Sequence, residues 1–170
     1  MKTSVLFSET QRFKQWWLWV ILLGINGIFL FGVFKQVIGG QPWGNNPMSN
    51  TALLISAGFF LLLTILFINF RLDTQIKEDG IYVRFFPFHL SFRYYDWNKI
   101  AKSYVREYKP IREFGGWGLR SGSFGKGSAL NVSGNQGLQL EFTDGNKLLI
   151  GTNRPDELTK LLTQIKQSKS

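Results

Sequence analysis

The chain has 170 residues, no cysteine, a single histidine and a formal charge of +9. The missing thiols exclude disulfides, thiolate catalysis and Cys-containing zinc or iron–sulfur sites, and a lone His89 cannot supply the usual multi-imidazole metal set. A mean hydropathy near zero conceals a split, because apolar residues crowd into the first seventy positions while the remainder is polar and basic.

Residues 1–15 read as a basic N-terminal segment, with Lys2, Arg12 and Lys14 against Glu9. From Trp16 to Phe34 nineteen residues carry no charge, and from Thr51 to Phe70 there are twenty. As helices, both are long enough to cross roughly 30 Å of hydrocarbon. Two transmembrane helices are therefore expected, over 16–34 and 51–70. The loop between them, 35–50, holds Gly39-Gly40-Gln41-Pro42 and Asn45-Asn46-Pro47, which break helices and suit a return through water. A signal peptide fits the first span less well: the apolar run exceeds a core of about 7–15 residues, and no small-x-small cleavage pattern precedes Gly39. The second span is apolar on every face, so a soluble core helix fits it poorly.

Basic residues set the expected orientation. Three precede the first span and Arg71, Lys77 and Arg84 follow the second, whereas the connecting loop has only Lys35. By the positive-inside rule both termini are cytosolic, the 35–50 loop is external, and the chain is a multi-pass protein of the cell's inner, cytoplasmic membrane. Trp16, Trp17 and Trp19 then lie at the inner headgroup boundary and Trp43 near the outer one. Gly24, Asn26, Gly27 and Gly32 suit close helix approach, most simply onto the second span of the same chain.

Beyond Arg71 the pattern alternates, as half-buried strands do. Leu72, Thr74 and Ile76 alternate with polar residues, as do Ile81, Val83 and Phe85. Asp79-Gly80 between them predicts a type I′ hairpin, and Leu138 to Phe142, Asp144-Gly145 and Leu148 to Ile150 repeat the device. Weaker strands over 90–95, 101–108 and 129–132 bring the expected number to about seven, enough for a small sandwich or partly open barrel. The chain closes on an amphipathic helix, with Asn153 as the expected N-cap, Pro155, Asp156 and Glu157 in its first turn, and Leu158, Leu161, Leu162 and Ile165 on one face.

About seven strands closed by one C-terminal amphipathic helix resemble the pleckstrin-homology (PH) fold. Glu78-Asp79-Gly80-Ile81-Tyr82, Asp96-Trp97-Asn98-Lys99-Ile100 and Leu148-Leu149-Ile150-Gly151-Thr152 carry the likeness. With two spans ahead of it, the domain over 71–170 resembles the membrane-anchored bacterial PH-like proteins. The resemblance implies a β-rich binding domain and no catalytic motif.

The segment from Tyr108 to Gly127 departs from a compact PH pattern. Its glycines do not make a phosphate loop, since Gly125-Lys126 is followed by Gly127 and not by Ser or Thr. Arg106, Lys109, Arg112, Arg120 and Lys126 alternate there with aromatics, of which Phe114 and Trp117 are the most prominent. Such residues hold phosphates and sit at lipid interfaces or partner grooves, which makes the segment the candidate interaction surface. The competing reading has the aromatics in the core and the charges on a solvated face. Asp96, Glu107, Glu113 and Glu141 lack a spacing that pairs them, so no enzyme and no cofactor is expected. The expected function is a membrane-anchored binding or scaffolding module, a subunit of a membrane-associated assembly; the alternatives are an anionic-lipid headgroup sensor and an enzyme with an unrecognised cleft. Expected partners are the lipid bilayer, its anionic headgroups, and another membrane protein or a second copy as homo-oligomer. Nucleic acid is not expected.

Overall fold

The computed structural model describes residues 4–122 and 127–169. It divides into two compact units, one made of Lys14–Asn69 and the other of Met1–Phe13 together with Phe70–Ser170.

The first unit is a helical hairpin. Helix α1 (Trp16–Gly32) continues through a wider turn, Val33–Ile38, in which Gly39 N–H donates to Phe34 O at 2.9 Å. Helix α2 (Asn50–Asn69) follows, its first turn capped by Ser49 Oγ, which accepts from Ala52 N–H. Both helices, 23 and 20 residues long, are apolar enough to cross a membrane. The first outruns the expected 16–34 because Lys35 and Gln36 do not break a helix, and Gln36 turns its amide to Met48 O and Asn50 Oδ1 instead. Asn26 Nδ2 donates to Leu22 O of its own helix and, across to α2, to Thr64 Oγ1, each at 2.7 Å, and Phe29 stacks on Phe60. Asn26 is thus the interhelical residue of the predicted set. Gly24 and Gly27 face open space, and Gly32 leaves room for the Trp43 ring.

The second unit is β-rich. Strands β1 (Val5–Arg12), β2 (Arg71–Lys77), β3 (Gly80–Phe86) and β4 (Arg93–Asp96) form an antiparallel sheet in that order. A second sheet has the order β5-β8-β9-β7-β6, from β5 (Ile100–Glu107), β6 (Gly118–Ser121), β7 (Ser128–Asn131), β8 (Gln136–Phe142) and β9 (Lys147–Gly151). A short helix α3 (Pro110–Phe114) follows β5, and α4 (Pro155–Lys169) ends the chain. The described residues thus hold nine strands against the expected seven, in two sheets that do not close into a barrel.

The additional strands are β1 and β6. Strand β1 lies in what reads as a mere N-terminal segment, yet it pairs along its length with β2, from Arg12 opposite Arg71 to Phe7 opposite Ile76. Two of its three buried side chains, Glu9 and Gln11, are polar, which erases the apolar alternation that marks a strand. Both are satisfied. Glu9 accepts from Thr152 Oγ1 at 2.7 Å and from Asn153 N–H at 2.8 Å, while Gln11 Nε2 donates to Gly151 O at 2.7 Å. Asn153 is therefore not the cap of α4; Arg154 occupies that position, its carbonyl accepting from Leu158 N–H, while the Glu9 carboxylate lies at the helix's positive end.

The core lies between the sheets. Leu72, Ile76, Ile81, Val83 and Phe85 face Leu130, Leu138, Leu140, Leu148 and Ile150, and Leu158 and Leu162 of α4 cover them. A separate cluster of Tyr108, Phe114, Ala129 and Leu149 packs on the opposite face of the second sheet. This explains the unbroken Leu148-Leu149-Ile150 run, because β9 is buried on both sides.

The two hairpins stand where expected, with different turn chemistry. Gly80 is in strand β3, where a Cβ would collide with Tyr95 O of β4, so it is there for close backbone approach and not for a type I′ turn. Gly145 has φ 84° and its N–H donates to Phe142 O, within a turn closed by Phe142 N–H to Asn146 O.

Candidate functional site

The structure divides the expected interaction segment into buried, engaged and free residues. Phe114 is buried edge-on against Tyr108 and belongs to the covering of the second sheet. Arg106 is held by three acceptors: Glu113 Oε2 at 2.9 Å, Gln139 Oε1 at 3.0 Å and Glu107 O at 3.2 Å. The other Glu113 oxygen accepts from Lys109 N–H and so caps α3. Gly115, at φ 71°, ends that helix in the left-handed conformation. Trp117 Nε1 donates to Gly134 O, and Arg120 Nε to Trp117 O. The side chains of Lys109, Arg112 and Arg120 are exposed, and Lys126 lies outside the described residues. Phe114 thus belongs to the cover of one sheet face, Arg106 is ion-paired with Glu113, and Trp117 is half-buried. Lys109, Arg112 and Arg120 are surface cations.

A different site emerges where the two sheets fail to close. An open cleft of about 680 Å³ lies between the free edge strand β4, strands β6 and β7, and the β8–β9 turn. Its floor is apolar, with Tyr95 and Phe142 rings 5.3 Å apart beside Leu130 and Leu148. Its rim carries Arg93, Lys99 and Lys147, none of which makes an ion pair among the described residues. Asp144 is the one acidic residue on the rim. Asn146 donates to it from both backbone and side chain, at 2.9 Å each, which holds its carboxyl below the usual range, with Lys99 adding to the effect. Its charge is thus largely committed to its own turn, and the cleft presents a cationic edge over an apolar bed.

Sequence reading missed this site because its three cations come from separate stretches. Arg93 begins β4, Lys99 ends the turn capped by Asp96, and Lys147 begins β9. Only the packing of two sheets brings them together. The sole local hint was Asp96-Trp97-Asn98-Lys99, whose Asp96 side chain accepts from Asn98 N–H at 2.8 Å and fixes where Lys99 stands.

His89 is a turn residue. Its N–H donates to Phe85 O at 2.8 Å and its Nδ1 accepts from Phe85 N–H at 3.3 Å, so the ring secures the β3–β4 loop in its neutral form. Burial, and then the charge of Arg93, lowers its pKa from 6.5. The unfolded chain then takes up the proton first as pH falls, so stability is lost below about pH 6.5. The melting temperature of the β-rich unit is expected to fall between neutral pH and about pH 5.5 in the wild type. In His89→Gln, which keeps an acceptor without a titrating ring, the slope is expected to flatten; equal slopes would show that His89 does not carry the effect.

Among the described residues no group of three His, Asp or Glu side chains is placed to hold a metal ion. Comparison of the sequence with models of known protein families and with curated proteins finds no match, so the functional reading stands on this geometry.

Proposed function

We propose that the chain is a membrane-anchored, PH-like binding module, whose two helices span the inner membrane and hold the β-rich unit at its cytosolic face. There the basic cleft takes an anionic group and ties the chain into a membrane-associated assembly. The observation that carries this reading is the convergence over an apolar floor of three cations, Arg93, Lys99 and Lys147, none in an ion pair among the described residues. Cations freed from internal pairing hold phosphates or carboxylates well, and the adjoining rings accept an apolar portion of the same ligand. The PH-like assignment draws support from two sheets covered by one C-terminal helix. Support for spanning comes from helix length and composition. The pairing of β1 with β2 favours both ends of the hairpin on one side, as an even number of crossings requires. The basic flanks then favour the cytosolic side. The reading assigns no catalysis to the chain.

The test uses the intact chain in nanodiscs of zwitterionic lipid, titrated with pyrophosphate and, separately, with a short polyglutamate peptide. At least one probe is expected to bind saturably and to weaken as salt rises. The combined substitution R93S, K99S and K147S is expected to lower that affinity about tenfold or more, roughly 1.4 kcal/mol, with the melting temperature unchanged. Failure of both probes to bind, or equal binding by the substituted chain, removes the cleft as the ligand site. Anionic nanodiscs carry the headgroup alternative: weaker competition by pyrophosphate there would mean that the lipid itself fills the cleft.

A further inference from the structure

The β3–β4 loop carries the largest unexplained apolar exposure of the β-rich unit. Leu90 is 78% exposed, more than any large apolar side chain of α1 or α2, and Phe88 is 58% exposed. Neither residue is loosely held. The His89 backbone and ring bind Phe85 from between them, and Phe88 stacks on Phe70 and Phe85 with ring centroids 5.6 and 5.9 Å apart. The loop is therefore built to present two apolar side chains outward.

Its place in the chain says what those side chains meet. Phe70 directly follows Asn69, the last residue of α2, and Phe13, three positions before α1 begins, lies 5.8 Å from Phe70 between ring centroids. The chain thus enters and leaves the helical hairpin beside the ring on which Phe88 stacks. The same end of the first sheet carries a cross-strand row of Arg12, Arg71 and Phe86. Arg71 lies over the Phe86 ring at 5.1 Å and is ion-paired with Asp73 at 3.3 Å, whereas Arg12 is exposed with no ion pair among the described residues. Apolar tips beside cations suit a phospholipid surface, whose acyl boundary takes the first and whose phosphates take the second. Leu90 beside an exposed Phe88 makes an apolar patch that a lipid boundary covers.

We infer that the loop between Phe86 and Phe92 is a membrane-surface anchor: Phe88 and Leu90 enter the headgroup–acyl boundary of the leaflet next to the β-rich unit, with Arg12 at its phosphates. This rests on the reading of α1 and α2 as spans and adds a third attachment, one that fixes how the unit stands on the bilayer.

The absence of cysteine makes the test direct. Single substitutions Leu90→Cys, Leu62→Cys and Glu78→Cys are made in the intact chain, spin-labelled, and reconstituted in vesicles of mixed zwitterionic and anionic lipid. Power saturation then compares collision with oxygen, which concentrates in lipid, and with a water-soluble nickel chelate. Leu62 lies within α2, and Glu78 lies in the turn at the opposite end of β2 from Arg71. The oxygen-to-nickel ratio at Leu90 is expected to be several-fold above that at Glu78 and to approach that at Leu62. A ratio at Leu90 equal to that at Glu78, with Leu62 in lipid, overturns the anchor and leaves the spans standing. A water-like ratio at Leu62 overturns the spans and the anchor with them. In a fourth chain, Phe88→Ser with the label at Leu90, the ratio is expected to fall toward that of Glu78; no change would assign the insertion to Leu90 alone and overturn the paired role of Phe88.

Discussion

Leu158→Asp is expected to unfold the β-rich unit of the intact chain. The side chain is 1% exposed and lies in the core cluster that both sheets share with α4. A carboxylate there has no cation to pair with inside the core and loses the packing of a buried leucine, a penalty of several kcal/mol. Domains of this size are stable by only about 5–15 kcal/mol, so the change removes a large part of the margin. Leu161→Asp, on the half-buried flank of the same helix, is expected to have a smaller effect. Hydrogen exchange read by mass spectrometry separates the outcomes. Amides of β8 and β9 lose protection in Leu158→Asp while those of α1 and α2 keep theirs, and retained protection in β8 and β9 would show that α4 does not cover the core.

A fragment beginning at Arg71 is expected to aggregate, although it contains eight of the nine strands and the whole of α4. It lacks β1, which supplies the buried Phe7 ring, the Glu9 carboxylate at the start of α4, and Gln11 on Gly151. Loss of the Phe7 ring alone removes about 2–3 kcal/mol of apolar burial. The edge of β2 is also uncovered along its full length, which invites pairing between molecules. A second chain tests the cause: residues 4–13 joined by about four Gly and Ser residues to residues 70–170, a linker of hairpin length. Phe13 and Phe70 are close enough for such a link, and Arg12 already pairs with Arg71. The fusion is expected to be monomeric and to melt cooperatively. A monomeric, equally stable fragment from Arg71 would mean that β1 is dispensable.

The two long apolar helices were legible in the sequence because hydropathy over some twenty residues needs no partner to be read. So were β2 with β3 and β8 with β9, whose inward leucines, isoleucines and phenylalanines alternate cleanly. Strand β1 was not, because its inward positions Glu9 and Gln11 are chosen for hydrogen bonds to residues more than a hundred positions away. The turn glycines misled for a related reason: Gly80 answers a neighbouring strand and not its own turn. At the site, local clustering drew attention to the stretch after Arg106, where Phe114 proved to be core and Arg106 an ion-paired brace. Arg93, Lys99 and Lys147 carried no common local signal, since their proximity is a product of tertiary packing alone.

The pairing of β1 with β2 also dictates an order of events during synthesis. Strand β1 leaves the ribosome before either hydrophobic helix, while its partner follows both. At about 5–20 residues per second the interval from Arg12 to Ile76 lasts roughly 3–13 s, during which the first strand has nothing native to bind. A conventional apolar strand would be a hazard over that wait, prone to self-association. Ser8, Glu9, Thr10 and Gln11 make β1 tolerant of water over that wait. The polarity that hides it from pattern reading is then what lets it be translated first and folded among the last.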